Sequence, residues 1–205
     1  GGDSTYNAAT DVTRTFTISG AAALTPTFDT PVKTNGGFTV NITNYSASYT
    51  WSCSASVGSV SATCNAGSIV VTGLSSNQSS TITVGTTRTG YNNGSATVSG
   101  TAKTDQTITF TAPSNMSYGD ADQDLTASSS SNLSVTLTSS DTNICTVVAG
   151  PKVHIVTTGS CTITASQAGD TTYNAATSVP RTFTISGATA LTPTFDTPVK
   201  TNGGF

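Results

Sequence analysis

The chain has 205 residues, enough for one or two domains, and only 8% of them are charged, leaving a formal net charge of −3. Its seven Lys and Arg are scattered, which excludes the clustered basic footprint of a nucleic-acid binder. Glutamate is absent, leucine occurs six times, and 44 Thr and 29 Ser fill more than a third of the chain, so helix formers are scarce and the composition predicts an all-β protein.

Ser/Thr-rich chains often stay disordered, but here 35% of residues are hydrophobic and 14 aromatics (7 Phe, 6 Tyr, 1 Trp) alternate with polar residues throughout. In chain order, this alternation predicts strands over Thr25–Phe28, Gly37–Asn44, Ser48–Ser54, Ser59–Cys64, Ser68–Thr72, Thr81–Thr87 and Ser95–Thr101. A second set follows at Thr107–Thr111, Leu125–Ser128, Leu133–Thr138, Ile144–Val148, Val153–Thr157, Cys161–Ala165 and Arg181–Ser186. The joints carry turn chemistry, with Asn35-Gly36-Gly37, Gly73, Gly90 and Asn92-Asn93-Gly94 tolerating positive φ. Seven short strands in about 80 residues read as an antiparallel sandwich of immunoglobulin type.

The ends of the chain repeat each other. Residues 1–38 recur at 168–205, a shift of 167, and differ at only five positions: Gly1/Ala168, Ser4/Thr171, Asp11/Ser178, Thr13/Pro180 and Ala22/Thr189. A fainter period of 82 relates LTPTF at Leu24–Phe28 to QTITF at Gln106–Phe110, and Tyr91 to Tyr173. The repeating unit is therefore a pair of related modules, a period too long for a solenoid and suited to an array of whole domains. The expected layout is the end of a preceding second-type domain at 1–19, a first-type domain at 20–104, a second-type domain at 105–187, and the start of another first-type domain at 188–205. Gly1 falls within a repeat, so the chain is expected to be a fragment. It carries no run of about 18 apolar residues for a membrane span and no charged-then-apolar leader.

Four cysteines allow three pairings, and the local one, Cys53 with Cys64 and Cys145 with Cys161, keeps each bond within one domain. Such bonds persist in oxidising compartments and point to secretion or the cell surface. Small sandwiches have marginal cores, so a structural role suits them. Zinc is disfavoured, because neither pair has C-x₂₋₄-C spacing and His154 is the sole histidine. Sequons at Asn41, Asn44, Asn77, Asn93, Asn115 and Asn132 are candidate glycosylation sites, although they arise easily in so Ser/Thr-rich a chain.

Catalytic chemistry is thinly supplied: His154 lies in VHIV, where alternation makes it a solvent-facing strand residue, and no G-x-S-x-G elbow accompanies it. No enzymatic activity and no cofactor are expected. In GDADQDL, Asp120, Asp122 and Asp124 alternate like calcium-loop carboxylates, but the sixth and twelfth positions are Leu125 and Ser131 rather than Gly and Glu. That excludes an EF-hand and leaves a looser calcium site beside a solvated loop in which Asp120 caps a turn. Thr-x-Thr runs (Thr81–Thr83, Thr107–Thr111, Thr162–Thr164, Thr182–Thr184) would make a flat hydroxyl face, suited to ordering water if threonines ranked across adjacent strands. Tyr45, Tyr49 and Trp51 offer either a sugar-stacking platform or, for Trp51, core filling beside the disulfide.

YGD (Tyr118–Asp120), LTAS (Leu125–Ser128), ICTVV (Ile144–Val148), TTGSCTITASQAGD (Thr157–Asp170) and TYNAA (Thr172–Ala176) resemble bacterial immunoglobulin-like repeats of the MBG type. The first module, with GFTVNITN, YTW and TRTGYNNGSATVSG, is similar to the fibronectin-III-like or Ig-like modules found beside them in large cell-surface or secreted proteins. The resemblance implies tandem Ig-like sandwiches in an extended array, a structural segment of a surface fibre, stalk or adhesin. Two alternatives accompany it: a self-assembling filament in which chains exchange strands, and repeats that adhere to carbohydrate. The expected partners are neighbouring repeats of the same chain and identical chains in a filament.

Overall fold

A computed structural model describes residues 4–7, 9–61, 64–188 and 190–196. The expectations that fall on residues 1–3, 8, 62–63, 189 and 197–205 lie outside the described residues. The protein is all-β, and among the described residues it has no α-helix. It divides into two compact units, Gly1–Ala102 and Lys103–Phe205, each with its own core.

In the first unit, β1 (Val32–Thr34), β2 (Gly37–Asn41), β4 (Ser59–Ser61) and β5 (Ser68–Thr72) form one antiparallel sheet in the order β1-β2-β5-β4. The facing sheet is β3 (Thr50–Ala55), β6 (Ser79–Thr87) and β7 (Gly94–Thr101), in the order β3-β6-β7. Alternation decides which face is buried: on β6, Ser80, Ile82, Val84 and Thr86 point inward, while Thr83 and Thr87 are exposed. Ile82 and Val84 meet Phe38, Val40, Ile69, Val71 and Trp51 in the core. The two inward hydroxyls are satisfied, Ser80 donating to the Val57 carbonyl at 2.7 Å and Thr86 to that of Leu24 at 2.6 Å. Gly100 faces inward on β7, where a Cβ would lie 2.3 Å from the Phe38 ring. The ring occupies the space a side chain would need.

The second unit has a sheet of β12 (Thr136–Ser139), β15 (Gly159–Ser166), β16 (Val179–Ser186) and β9 (Met116–Ser117), in the order β12-β15-β16-β9. Strand β9 runs parallel to β16, and the other pairs are antiparallel. Two smaller sheets accompany it, β10 (Gln123–Asp124) with β14 (Lys152–Ile155) and β13 (Cys145–Val148), and β8 (Ile108–Phe110) with β11 (Ala127–Ser129). The core joins Cys161, Ile163 and Ala165 of β15 and Phe183 and Ile185 of β16 to Phe110, Leu125, Cys145 and Val153.

The units share an entry latch. Ala21 donates to the Gly90 carbonyl and accepts from the Asn92 N–H, both at 2.9 Å. Thr104 does the same with Thr172 and Asn174, also at 2.9 Å. Gly90 to Thr172 and Asn92 to Asn174 are both 82 residues apart, the spacing of the sequence periodicity.

Several strand expectations need correction. Thr25–Phe28 is not a strand and makes only one isolated bridge, Phe28 with Ile42. Pro26 has no N–H to give to a ladder, and the Asn44 amide takes over, accepting from the Thr27 N–H at 3.0 Å and donating to the Thr25 carbonyl at 2.8 Å. Strand β2 accordingly stops at Asn41, short of Asn44. Strand β4 stops at Ser61, and Cys64 opens a 3-10 turn, Cys64–Ala66. Strands β1, β9 and β10 were not expected; at two or three residues each, they are too short to display a period.

Candidate functional site

Two disulfides close within the units. Cys53 on β3 bonds Cys64 in the 3-10 turn, with Cα atoms 6.1 Å apart, and Cys145 on β13 bonds Cys161 on β15 at 5.9 Å. The second bond ties two sheets together through the middle of its core, its cysteines 0% and 1% exposed.

The acidic loop turns its carboxylates toward partners within the protein. The Asp120 carboxylate accepts from the Ser117 N–H at 2.7 Å, capping a turn. Asp122 meets His154 Nδ1 at 2.8 Å, and Asp124 pairs with Lys152 Nζ at 2.9 Å, which raises the lysine pKa above its ordinary value. Among the described residues, no group of three or more His, Cys, Asp or Glu is placed to hold a metal. His154 lies on β14 with its side chain about half exposed, as its VHIV alternation implies.

Trp51 is 5% exposed and part of the first core. Its indole N–H donates to the Ser46 carbonyl at 2.9 Å, and Tyr45 stacks on it with ring centroids 5.4 Å apart. Of the two readings of this cluster, core filling holds for Trp51, which is packed inward, so Tyr45, Tyr49 and Trp51 do not form one platform. Tyr49 instead sits edge-on to Tyr91 at 5.7 Å, and the Arg88 guanidinium lies 4.5 Å from the Tyr91 ring centroid and 5.4 Å from that of Tyr49.

Hydroxyls dominate the outward face of the β3-β6-β7 sheet. Ser54, Thr83 and Thr97 share one rank, and Ser52, Gly85 and Ser95 the next. Hydroxyls bond across strands, Ser79 to Thr101 at 2.9 Å and Thr81 to Ser99 at 2.8 Å, and in the second unit Thr162 to Thr182 at 2.7 Å. Ranked threonines do occur, but the ranks mix Ser, Gly and Pro, as where Thr164 faces Pro180. The outcome is an uncharged face whose polar groups partly satisfy one another.

The sequons fall into two groups. The Asn41 amide donates to Asp29 at 2.7 Å, Asn44 is held by the Thr25 segment, and the Asn115 side-chain oxygen accepts from the Thr184 N–H at 2.9 Å. Asn77, Asn93 and Asn132 are exposed, two of them in turns at φ of 56° and 61°, a region Asn tolerates. A glycan on Asn41 or Asn44 would displace the hydrogen bonds described above.

Carboxylates also fasten turns. Asp29 accepts from the backbone N–H and then the side-chain amide of Asn41, and Asp170 from the N–H groups of Tyr173 and Thr172; both are held below the ordinary carboxylate pKa by these bonds.

Sequence reasoning missed Arg88 and the Gln106 network. Gln106 is 6% exposed and donates to the Asn174 carbonyl at 2.7 Å and to the side chain of Gln167, while Ser131 donates to it. The available signal was a polar residue at the position where the first module has Leu24.

No protein-family model matches the chain, and neither does any curated protein sequence. Solved structures similar to it include a protocadherin gammaB7 EC3-6 cis-dimer (18% identity over 80% of this chain and 47% of that one, TM-score 0.33). Fibronectin(III)-like modules of Clostridium thermocellum CbhA match at 16% identity over 79% of this chain and 94% of theirs, TM-score 0.38. Domains 1-6 of the surface layer protein SbsC match at 18% over 75% and 23%, TM-score 0.31. The chain spans under half the length of the protocadherin and surface layer structures.

Proposed function

We propose that the protein is a structural segment of a long extracellular array, a stalk or surface fibre whose unit is a pair of Ig-like modules, 20–104 and 105–187. In this layout residues 1–19 end a preceding second-type module and 188–205 begin another first-type module. The observation that carries it is the recurrence of 38 residues after 167 with only five changes, in a chain whose two modules have separate disulfide-closed cores. A unit copied so closely suits a spacer lengthened by adding copies. Low charge and hydroxyl faces suit chemical inertness, and the disulfides suit an oxidising exterior. The partners are then the neighbouring repeats, and the work is done by length rather than by a reacting group.

Electron microscopy of the native material tests this reading. Strings of alternating beads, two per 167-residue repeat, are expected; isolated globular particles would overturn it. Adhesion to carbohydrate is less well supported, because Trp51 is in the core.

A further inference from the structure

Two turns of opposite charge lie on the path that joins one repeat to the next. Ser117–Asp120 (SYGD) closes with the Asp120 N–H donating to the Ser117 carbonyl at 3.0 Å, and Arg88–Tyr91 (RTGY) closes in the same way at 3.1 Å. The third residue of each is a glycine at positive φ, Gly119 at 94° and Gly90 at 83°, and both tips are open: a Cβ on either would meet nothing within 4 Å. The first turn offers the Tyr118 ring, 52% exposed, and the Asp120 carboxylate, whose Oδ2 takes the Ser117 N–H while Oδ1 has no partner among the described residues. The second offers the Arg88 guanidinium, steadied over the Tyr91 and Tyr49 rings, and no carboxylate among the described residues pairs with it. Each turn is bonded to the chain at the junction. Tyr118 donates its N–H to the carbonyl of Ser186, the last residue of β16, at 2.8 Å, and the Gly90 carbonyl accepts from Ala21 at 2.9 Å. By the 167-residue recurrence Ala188 stands where Ala21 does, so in a run of repeats the anchors of the two turns, Ser186 and the next Ala21, are two residues apart. Two residues span at most about 7 Å. The residue between them is Gly20 of the later copy, and a Cβ on it would lie 3.1 Å from the backbone of both Tyr91 and Asn92, so the junction runs directly against the RTGY turn.

We propose that the SYGD turn of one repeat docks on the RTGY turn of the repeat that follows, with Arg88 donating to the open Asp120 oxygen and Tyr118 packed against the Tyr91 and Tyr49 rings. The inference rests on the array reading and deepens it: the partner of Arg88 is the second-type module of the preceding copy, and the contact stiffens that junction. Net charge acts in the same direction. Residues 20–104 carry Lys33, Arg88 and Lys103 against Asp29, and residues 105–187 carry six Asp against Lys152 and Arg181, so the adjoining modules stand at +2 and −4 with His154 neutral. A guanidinium on two rings thus meets a carboxylate and a third ring, at a spacing the chain itself enforces.

The test uses a two-repeat chain, residues 1–187 continued by residues 21–205 of a second copy, spin-labelled at Thr184→Cys in the first repeat and Thr83→Cys in the second. Distances between the labels, measured by pulsed electron paramagnetic resonance, should form one narrow distribution. Arg88→Glu in the second repeat should broaden it, as should 1 M salt, in which the screening length falls to about 3 Å. Asp120→Arg in the first repeat, added to that Arg88→Glu, should narrow it again. Arg88→Glu in the first repeat removes the same ring stack away from the labelled junction and should leave the width unchanged, which separates docking from a role of Arg88 within its own module. A broad distribution in the unsubstituted chain, or a narrow one that neither salt nor Arg88→Glu in the second repeat alters, would overturn the proposal. Either result leaves the array reading standing, since that depends on the beaded native material.

Discussion

The two modules follow one plan and fill it differently. Each enters through the same latch, at Ala21 and at Thr104, and each closes its hydroxyl-faced sheet with a long hairpin, β6-β7 or β15-β16. In the first module the core is completed by a large aromatic, Trp51, and by Phe38 seated over Gly100, with the disulfide reaching from β3 to a turn. In the second there is no tryptophan, and the disulfide crosses the middle of the core at Cys145 and Cys161. The sandwich fixes where the core must lie, and a buried indole in one module and a buried disulfide in the other fill its centre.

That contrast can be broken most severely at Trp51. Trp51→Ala should cost the first module about 3–5 kcal/mol, enough to unfold a small domain or lower its melting temperature steeply. Calorimetry should show the second module's transition in place; a joint collapse would mean that the cores are not independent. Next in size is the central disulfide. Closing a loop with a sequence separation of 16 removes denatured-state entropy worth about 3 kcal/mol, and Cys145→Ala with Cys161→Ala also leaves voids at fully buried positions. The same change at Cys53 and Cys64, separated by 11 residues, also costs about 3 kcal/mol by that entropy term but should leave less of a void, since Cys53 is only partly buried. Thermal unfolding of the two double variants should rank the second module's loss above the first's, and the reverse order would contradict a staple at the core's centre.

The buried polar network sharpens the comparison further. Gln106 occupies the place of Leu24, and Gln106→Ala would leave the Asn174 carbonyl and the Gln167 side chain short of a partner, at about 1–3 kcal/mol. Gln106→Leu should be tolerated no better, because it takes the same amide away from the Asn174 carbonyl and the Gln167 and Ser131 side chains. Denaturant unfolding followed in the second module measures both; a stabilised Gln106→Leu variant would show that the network contributes nothing.

How much of this was legible depended on length and on proline. The runs TITV on β6 and TITA on β15 are long and strictly alternating, so their inward residues, Ile82, Val84, Ile163 and Ala165, could be read directly from period two. At Thr25–Phe28 the alternation was present, but Pro26 removed a donor, and the side chain of Asn44 supplied bonds that no local pattern announces. The local cysteine pairing was one of three, and the structure has that one. The Arg88–Tyr91–Tyr49 stack and the Gln106 network join residues 3 to 68 positions apart, so they required the tertiary fold. Trp51 was readable only as a choice between core and platform, and burial decided it.

The smallest effect sets the modules against each other by pH. Asp29 in the first and Asp170 in the second have carboxyls held below their ordinary pKa by N–H donors, so each binds a proton less readily folded than unfolded. By linkage, the stability each contributes is present above the unfolded value, about pH 4, and is lost as pH falls through the lower folded value. Both groups are exposed, so the loss in each module should be modest. Asp29→Asn should flatten the acid limb of the first module alone and Asp170→Asn that of the second alone, as read from melting temperatures between neutral and acidic pH. If either change flattened both limbs, the turns would be coupled, and two modules separately folded on one plan would be the wrong description of this chain.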